Sequence, residues 1–293
     1  MSAGVALYVR LVSCLALAIN FVDRRKDLFE KARLQARVYD SLLRPVGRRG
    51  DFSIRFLGKL FRTPWLPMFR TQLRAIFVDD ALKCSEKQTS IEFAVDAGAN
   101  LGLATIGLLL RYKPRDIISL EADPEIFDQY TVPNLRPYVN SSTQIICLNK
   151  ALWTSAGEAR FLSTGLDDGQ ILTDIFPTEV HDASSRTKIS VETVSLADLV
   201  NFWGDPRKID FLKMDIEGSE LFVLGSMNGE HFASFICFEV ELTGAKVDLF
   251  LSALASLRST GYHLALSGAA SGSWAKTDSE SAIMSFLWVR AFL

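Results

Sequence analysis

The sequence predicts an α/β protein built on a seven-stranded, mostly parallel sheet. From residue 92 onward, short apolar runs alternate with stretches of helical periodicity, the pattern of a parallel sheet covered by helices on both faces. The predicted strands are Glu92–Asp96, Ile117–Glu121, Gln144–Asn149, Phe211–Asp215, Phe235–Glu239, Tyr262–Leu266 and Ile283–Val289. No helical pattern separates the last two, so we expect them to form a C-terminal antiparallel hairpin.

Helical periodicity fills the segments between the other strands. Apolar residues recur there at intervals of three and four, and Gly261 stands where the last helix would end. The predicted helices are Leu101–Tyr112, Ile126–Arg136, Leu196–Phe202, Glu220–Leu224 and Lys246–Thr260. Sheets of this kind bind ligands beyond the carboxyl ends of their strands, where the strand order reverses. We therefore expect the fourth strand to lie beside the first, with the site at their ends.

The composition is typical of a globular protein from a reducing compartment. The chain has 293 residues, 48% of them hydrophobic, which is enough for one sizeable core and an appendage. Its four cysteines form no CxxC pair, and its three histidines have no metal-binding spacing. The sequence therefore predicts a cytoplasmic location, no disulfides and no metal site built from histidine or cysteine.

The first 90 residues differ from the rest in charge and pattern. Residues 1–74 carry 15 Lys and Arg against 5 Asp and Glu, a net charge of +10, whereas the remaining residues carry 17 and 29, a net charge of −12. We predict an apolar N-terminal helix at 1–22, a basic helical lead-in at 23–90 and the α/β domain at 91–293. Helical patterns in the lead-in cover Asp27–Leu43, Phe52–Phe61 and Met68–Leu82.

The apolar stretch Val5–Val22 has two interpretations. It is interrupted by Arg10 and Asn20, and it is marginal against the roughly 20 apolar residues that span a bilayer. Membrane attachment and a buried N-terminal helix both stay open. Attachment would leave the basic residues that follow on the cytoplasmic side of the membrane. The candidate partner of residues 1–74 is accordingly a membrane surface, with solvent alone as the alternative, and nucleic acid is not expected.

The turn after the first predicted strand has the chemistry of a cofactor site. Asp96 closes the strand, and Gly98 and Gly102 allow a tight turn with close approach to a ligand. Asn100 and Leu101 lie between the glycines, whereas a dinucleotide-binding turn would have glycine in place of Asn100. A negative charge from Asp96 suits an ammonium or sulfonium group better than a phosphate. The turn therefore predicts S-adenosylmethionine, which carries both cations, and an ordinary strand-to-helix turn is the alternative.

Polar residues at the ends of the next two strands fit a nucleoside. Glu121 ends the second strand about 20 residues after Gly98, where a carboxylate accepts hydrogen bonds from both ribose hydroxyls. Asn149 ends the third strand and Ala151 follows it, where side-chain or backbone amides would bind the adenine edge. The structural alternatives are a solvated loop acid at Glu121 and an ordinary turn asparagine at Asn149.

The fourth strand ends in an acidic block. Asp215, Glu217 and Glu220 gather at the predicted mouth of the site, and Glu239 ends the next strand. Asp215, Glu217 and Glu239 are candidates for the base that takes a proton from a hydroxyl, and Asp215 with Glu239 could instead bind a divalent metal. Lys213 inside the strand requires a carboxylate partner. Alternatively, Lys213 is simply paired in the core and the acids cap the next helix.

The sequence lacks the residues that several kinds of methyl acceptor require for binding or activation. The sequence has no Asn-Pro-Pro-Tyr-like tetrapeptide to hold an exocyclic amine and no cysteine at a strand end to attack a pyrimidine. The fifth strand ends in Glu239-Val240-Glu241, without the lysine of the sets that activate ribose hydroxyls. Methylation of amines and bases is therefore disfavoured, and a hydroxyl oxygen is the expected acceptor.

Three blocks resemble the FkbM family of S-adenosylmethionine-dependent methyltransferases. They are Asp96–Gly102, Glu121–Pro124 and, most specifically, Asp210–Glu220, and the resemblance extends over about residues 91–265. It implies the class I, Rossmann-like methyltransferase fold, S-adenosylmethionine as cofactor, and O-methylation of sugars, glycans or secondary metabolites. It further implies that Asp96, Gly98, Asn100, Gly102 and Glu121 hold the cofactor.

The leading hypothesis is thus an O-methyltransferase. A non-catalytic, membrane-attached binding protein that keeps the fold is the alternative, and Asn100 argues against a nicotinamide dehydrogenase. Residues 165–188 follow no family pattern and are candidates to line the acceptor pocket. His181 in this segment is either a base at neutral pH or a solvated loop residue.

Overall fold

A computed structural model of the chain describes residues 3–22, 27–43, 49–83, 91–140, 142–164, 169–173, 187–227, 229–242, 246–269 and 285–292. The N-terminal elements are α1 (Ala3–Val22), α2 (Leu28–Leu42), β1 (Arg49–Phe56), β2 (Lys59–Trp65) and α3 (Leu66–Leu73), and α3 continues as a π-helical segment (Arg74–Val78). The later strands are β3 (Phe93–Ala97), β4 (Asp116–Leu120), β5 (Gln144–Leu148), β6 (Ala151–Leu152), β7 (Gly157–Ser163), β8 (Gln170–Ile171), β9 (Thr187–Val194), β10 (Ile209–Met214), β11 (Ala233–Leu242), β12 (His263–Ala269) and β13 (Ser285–Phe292). The later helices are α4 (Leu103–Tyr112), α5 (Pro124–Ile126), α6 (Val132–Leu135), α7 (Leu196–Val200), α8 (Glu220–Gly225) and α9 (Val247–Ser259).

The main sheet has the order β12-β13-β11-β10-β3-β4-β5. Strands β11, β10, β3, β4 and β5 run parallel to one another, whereas β13 pairs antiparallel with both β11 and β12. The predicted α/β class with a parallel sheet is confirmed. The fourth strand of the prediction, β10, lies beside the first, β3, so their carboxyl ends meet at one edge.

The sheet is buried on both faces, which explains why its strands read as near-continuous apolar runs. Every residue of β3 and β4 is buried. One face packs against α4 and the N-terminal elements, including Tyr39, Phe56 and Phe77. The other packs against α7, α8 and α9 and includes Phe238 and Leu224. The hydrophobic core therefore runs without a break from the first 90 residues into the sheet, and the domain boundaries at 22 and 90 stay predictions.

The helix predicted over Phe52–Phe61 is wrong, because this segment is a β-hairpin. Strands β1 and β2 pair antiparallel, with Ile54 opposite Phe61. Phe52, Ile54 and Phe56 are buried while the residues between them are exposed, a period of two that fits a strand and not a helix. Leu57 and Gly58 turn the chain with φ of 50° and 80°. The lead-in is therefore helical only on either side of this hairpin.

The helix predicted over Ile126–Arg136 is broken into four short pieces. Helix α5 passes into a π-helical segment (Phe127–Thr131), then into α6 and a 3₁₀ turn (Arg136–Tyr138). Pro133 and Pro137 lie in this stretch. Proline has no N–H to donate to the preceding turn, so the regular hydrogen-bond ladder cannot continue through it.

The sequence analysis did not predict a second sheet. Strands β6, β9, β7 and β8 form it in that order, between β5 and α7 in the chain. It lies beside the ends of β4 and β5, and Ser163 of β7 donates a hydrogen bond to Asp123 after β4 at 2.5 Å. The second sheet therefore lies next to the predicted nucleoside site.

Among the described residues, no helix has both the length and the apolar character that crossing a membrane requires. Cys14, Cys147 and Cys237, the cysteines within the described ranges, form no disulfide bond.

Candidate cofactor and active site

The turn between β3 and α4 has the unusual backbone that its glycines predicted. Gly98, Asn100 and Gly102 all have positive φ, at 74°, 49° and 84°. Such values suit glycine and, less well, asparagine, whose short polar side chain tolerates the left-handed region. The Ala99 N–H donates to the Leu120 carbonyl at 2.8 Å, which ties the turn to the end of β4.

Gly98 is required by the packing of the protein itself. A Cβ added to Gly98 would lie 1.8 Å from the carbonyl oxygen of Asp215. The end of β10 thus passes directly over the turn, and the Asp215 N–H donates to the Ala97 carbonyl at 3.1 Å. A Cβ on Gly102 would lie 2.9 Å from the Leu135 side chain. Both glycines therefore permit close packing, and their assignment to the cofactor stays a prediction.

The sequence analysis expected Asp96 to supply a negative charge at the turn, but in the structure this carboxylate is paired inside the protein. It is fully buried, and its Oδ2 accepts a hydrogen bond from Thr105 Oγ1 at 2.6 Å. Its Oδ1 lies 3.1 Å from the Lys213 ammonium nitrogen. The carboxylate is therefore neutralised inside the protein and does not supply the negative charge at the mouth of the site.

Lys213 has the carboxylate partners that the sequence required. Its Nζ donates to the Gly98 carbonyl at 2.7 Å and lies 3.7 Å from Asp215 Oδ2. Burial lowers the pKa of Lys213, but the negative charges of Asp96 and Asp215 outweigh that effect and hold the pKa above its usual value. Lys213 is therefore a charged link between the cofactor turn and the end of β10.

Glu121 faces the turn, as its predicted role requires. Its Oε2 accepts a hydrogen bond from the Asn100 N–H and its Oε1 one from the Asp123 N–H, both at 2.8 Å. Burial raises the pKa of Glu121 to about 7, against the opposing effect of these backbone donors. Asn149 donates to the carbonyls of Glu121 and Ala122 at 2.8 and 3.1 Å. The ends of β4 and β5 thus form one hydrogen-bonded edge.

Two side chains that the sequence reading missed hold the turn from outside. Asn134 of α6 donates to the Leu101 carbonyl at 3.0 Å, and it also exchanges hydrogen bonds with the backbone of Arg62 in β2. Thr131 donates to the Asn100 carbonyl. No local pattern marks these residues, because their partners lie about 30 and 70 positions away.

The acids after β10 divide into two groups. Glu220 is buried, and it accepts hydrogen bonds from the N–H groups of Ile216 at 2.6 Å and Gly218 at 2.8 Å. Burial raises the pKa of Glu220 to about 7. Glu220 therefore fastens the loop, and the prediction that it gathers at the mouth is wrong. Glu217, half-buried with a φ of 56°, lies in that loop.

Asp215 and Glu239 form the second group. The parallel register pairs Met214 with Phe238, so the next residues, Asp215 and Glu239, lie side by side beyond it. Asp215 is 34% exposed, which leaves its carboxylate accessible. Burial, followed by the negative charge of Asp215, raises the pKa of Glu239 to about 8. Glu239 therefore tends to keep its proton at neutral pH.

The remaining predicted site residues lie close to the same edge. Leu101 is buried in the core with its carbonyl bound to Asn134, and Ala151 begins the second sheet. His181 falls outside the described residues. Within the described ranges, no group of three His, Cys, Asp or Glu side chains is arranged to hold a metal ion.

These residues fit S-adenosylmethionine. The Glu121 carboxylate, beside the turn, accepts only two protein hydrogen bonds of the roughly four that its oxygens can take, so ribose hydroxyls can be added. The Asp215–Glu239 pair places negative charge at the neighbouring strand ends, where a cation is stabilised.

Comparison with known proteins agrees with this geometry. The methyltransferase FkbM domain matches residues 96–264 of the chain. A curated relative, "Methyltransferase 1" of Beauveria bassiana, is 23% identical over 199 residues, which are 59% of this chain and 73% of the relative.

Solved structures with a similar arrangement are more distant. A SAM-dependent methyltransferase from Agrobacterium tumefaciens has a TM-score of 0.45 and 10% identity, with 85% of this chain and 72% of that chain covered. The TYW2 protein of M. jannaschii in complex with AdoMet has a TM-score of 0.41 and 13% identity, with 84% and 86% covered.

We predict that Gly98→Ala destabilises the protein far more than Gly204→Ala. Both glycines have positive φ, at 74° and 85°, but a Cβ at Gly204 meets nothing within 4 Å. Gly204→Ala should cost only the backbone penalty of about 1 kcal/mol in the free energy of unfolding. Gly98→Ala must also displace the end of β10, and urea unfolding should show at least about 2 kcal/mol more. Equal losses would contradict the close approach of Asp215.

We predict that Glu239→Gln changes how stability depends on pH. A folded-state pKa raised from 4.5 to about 8 means that Glu239 stabilises the folded protein most below pH 4.5 and loses that contribution as the pH rises through 8. Glutamine has no such loss, so the variant should gain stability relative to the wild type between these values. Urea unfolding across this range measures it, with the exposed Glu158→Gln as control. A pH-independent difference would contradict the raised pKa.

Proposed function

Because the chain belongs to the FkbM family of methyltransferases, we propose that it transfers the methyl group of S-adenosylmethionine to a hydroxyl of a sugar, a glycan or a secondary metabolite. The family establishes an S-adenosylmethionine-dependent methyltransferase, and the choice of a hydroxyl acceptor is our proposal. The observation that carries it is the Asp215–Glu239 pair, two adjacent carboxyl groups next to the cofactor turn.

The residues around the turn would bind and orient the cofactor. Glu121 would accept the ribose hydroxyls, and the strand ends at Asn149 and Ala151 would border the adenine. When bound, S-adenosylmethionine supplies a methyl group on a positively charged sulfur. Lys213 holds the Gly98 carbonyl and lies near Asp215, so the turn and the acid keep a constant separation. Such alignment of reacting groups lowers the barrier of a two-substrate reaction.

Asp215 would act as the base for the acceptor. A hydroxyl that loses its proton as it attacks needs an acceptor oxygen within hydrogen-bond distance, and the partly exposed Asp215 carboxylate offers one. Glu239 keeps its own proton at neutral pH because burial and the adjacent charge raise its pKa. Glu239 therefore does not compete with Asp215 for the hydroxyl proton.

The charge of the site favours a neutral, hydroxyl-rich acceptor. Asp215, Glu217 and Glu239 are all acids. Carboxylates accept hydrogen bonds from hydroxyls, and they repel negatively charged groups such as phosphates. A polyol such as a sugar satisfies several of them at once. Nucleic acid, with its charged backbone, would be repelled from the same edge.

We expect Glu121→Ala to weaken S-adenosylmethionine binding. The substitution removes an acceptor of charge-assisted hydrogen bonds, each worth about 1.5–3 kcal/mol, so the dissociation constant should rise at least about 10-fold. Isothermal titration calorimetry measures it, and the exposed Glu158→Ala serves as the control. Unchanged affinity in Glu121→Ala would remove Glu121 from the cofactor site.

We expect Asp215→Asn to abolish methyl transfer while cofactor binding persists. Loss of a general base typically costs about 100-fold or more in rate, whereas the turn and Glu121 are untouched. An isotopically labelled methyl donor, offered with a panel of sugars and phenols, reports transfer, and nuclear magnetic resonance of the product identifies a methoxy group. The exposed Asp248→Asn is the matched control. Methylation at nitrogen by the wild type would refute the hydroxyl proposal. Cofactor binding by the wild type without transfer to any member of the panel would favour a non-catalytic binding protein.

A further inference from the structure

The solvent-facing side of α1 is apolar. Leu11 and Leu15 are 56% and 58% exposed, and Tyr8 is 36% exposed. These positions are spaced by three and four residues, so they form one stripe along the helix. Cys14 and Ala18 are exposed beside it. A helix of a soluble domain normally presents polar residues to water, so this stripe indicates a surface that something else covers.

The opposite face fastens α1 to the rest of the protein. Val9, Val12 and Ala16 are buried in the same core as α2 and the β1–β2 hairpin. Tyr8 lies at the edge of the exposed stripe and also contacts the domain, because its hydroxyl donates to the Leu42 carbonyl at the end of α2, at 2.5 Å. Helix α1 is thus held along one side by its own domain and offers a second apolar side outward. This arrangement suits a helix that lies along a surface.

Charge decides what kind of surface fits. Arg10 is exposed on α1, and the sequence directly after the helix contains Arg24, Arg25 and Lys26. Residues 1–74 have a net charge of +10 from 15 basic and 5 acidic residues. Two copies of so basic a segment would repel each other if they met through this stripe. Anionic headgroups would attract it, by about 1 kcal/mol for each basic residue near the surface.

We propose that α1 lies in the plane of an anionic lipid bilayer, with Tyr8, Leu11 and Leu15 buried in its interfacial layer. Interfacial helices bind through buried apolar area together with attraction between basic residues and anionic lipids. The 20 residues of α1 give about 30 Å of helix to lie along the membrane. The enzyme would then be held at the membrane surface by α1. The candidate site at the strand ends of the sheet belongs to the same attached domain. This inference is independent of the acceptor proposed above.

Vesicle flotation with the full chain tests the proposal. The wild type should float with vesicles that contain phosphatidylserine and remain in the bottom fraction with phosphatidylcholine alone, and raised salt should release it. Leu11→Glu with Leu15→Glu should reduce the floating fraction at least about 10-fold, because two charges would enter the apolar layer. The control is Leu251→Glu, since Leu251 of α9 is 57% exposed, matched to Leu11 and Leu15.

Two measurements keep the result unambiguous. Circular dichroism and calorimetric S-adenosylmethionine binding should be equal in the wild type and both variants, which separates loss of membrane contact from loss of fold. If the double variant does not fold, Leu11→Ser with Leu15→Ser replaces it, with the same expected loss. The proposal is overturned if the wild type fails to float with anionic vesicles, or if Leu251→Glu loses flotation equally. It is also overturned if light scattering shows a dimer that the same substitutions dissociate, without vesicle binding.

Discussion

The buried ion pair between Lys213 and Asp96 is the constraint on which the site depends. An ammonium group inside a covered sheet is costly unless carboxylates and hydrogen-bond acceptors surround it, and here Asp96, Asp215 and the Gly98 carbonyl do so. Because Lys213 belongs to β10 and the other groups to β3, its turn and the end of β10, one side chain ties the strand ends together. The cofactor turn and the candidate base therefore have a common anchor.

Burial and backbone donors give chemically similar acids different roles. Glu121 and Glu220 each accept two backbone N–H groups, so they shape the loops that follow β4 and β10. The Asp215 carboxylate instead lies 3.7 Å from the Lys213 ammonium nitrogen, and its negative charge contributes to the raised pKa of Glu239. The site thus contains two acids that hold the backbone and two adjacent acids to which the proposed mechanism assigns proton transfer.

The N-terminal elements belong to the same physical unit as the site. Asn134 joins the backbone of Arg62 in the β1–β2 hairpin to the Leu101 carbonyl in the cofactor turn. Phe56 and Phe61 of the same hairpin form an aromatic cluster with Phe69 and Phe77. Helix α1 is therefore connected to the turn at Gly98–Gly102 through packed and hydrogen-bonded elements. Membrane attachment and methyl transfer would then take place on the same domain.

The sequence alone determined the parallel sheet, the strand–turn–helix at Gly98–Gly102 and the position of Glu121, because apolar periodicity and glycine placement act over a few residues. It also required a partner for Lys213, since a buried charge must be compensated. Only the tertiary structure decided that Asp96 is neutralised, that Glu220 fastens its loop, and that residues 52–61 pair as strands. Gly98 meets Asp215 across more than 100 positions of chain. Contacts of that kind arise when strands assemble, so no local pattern encodes them.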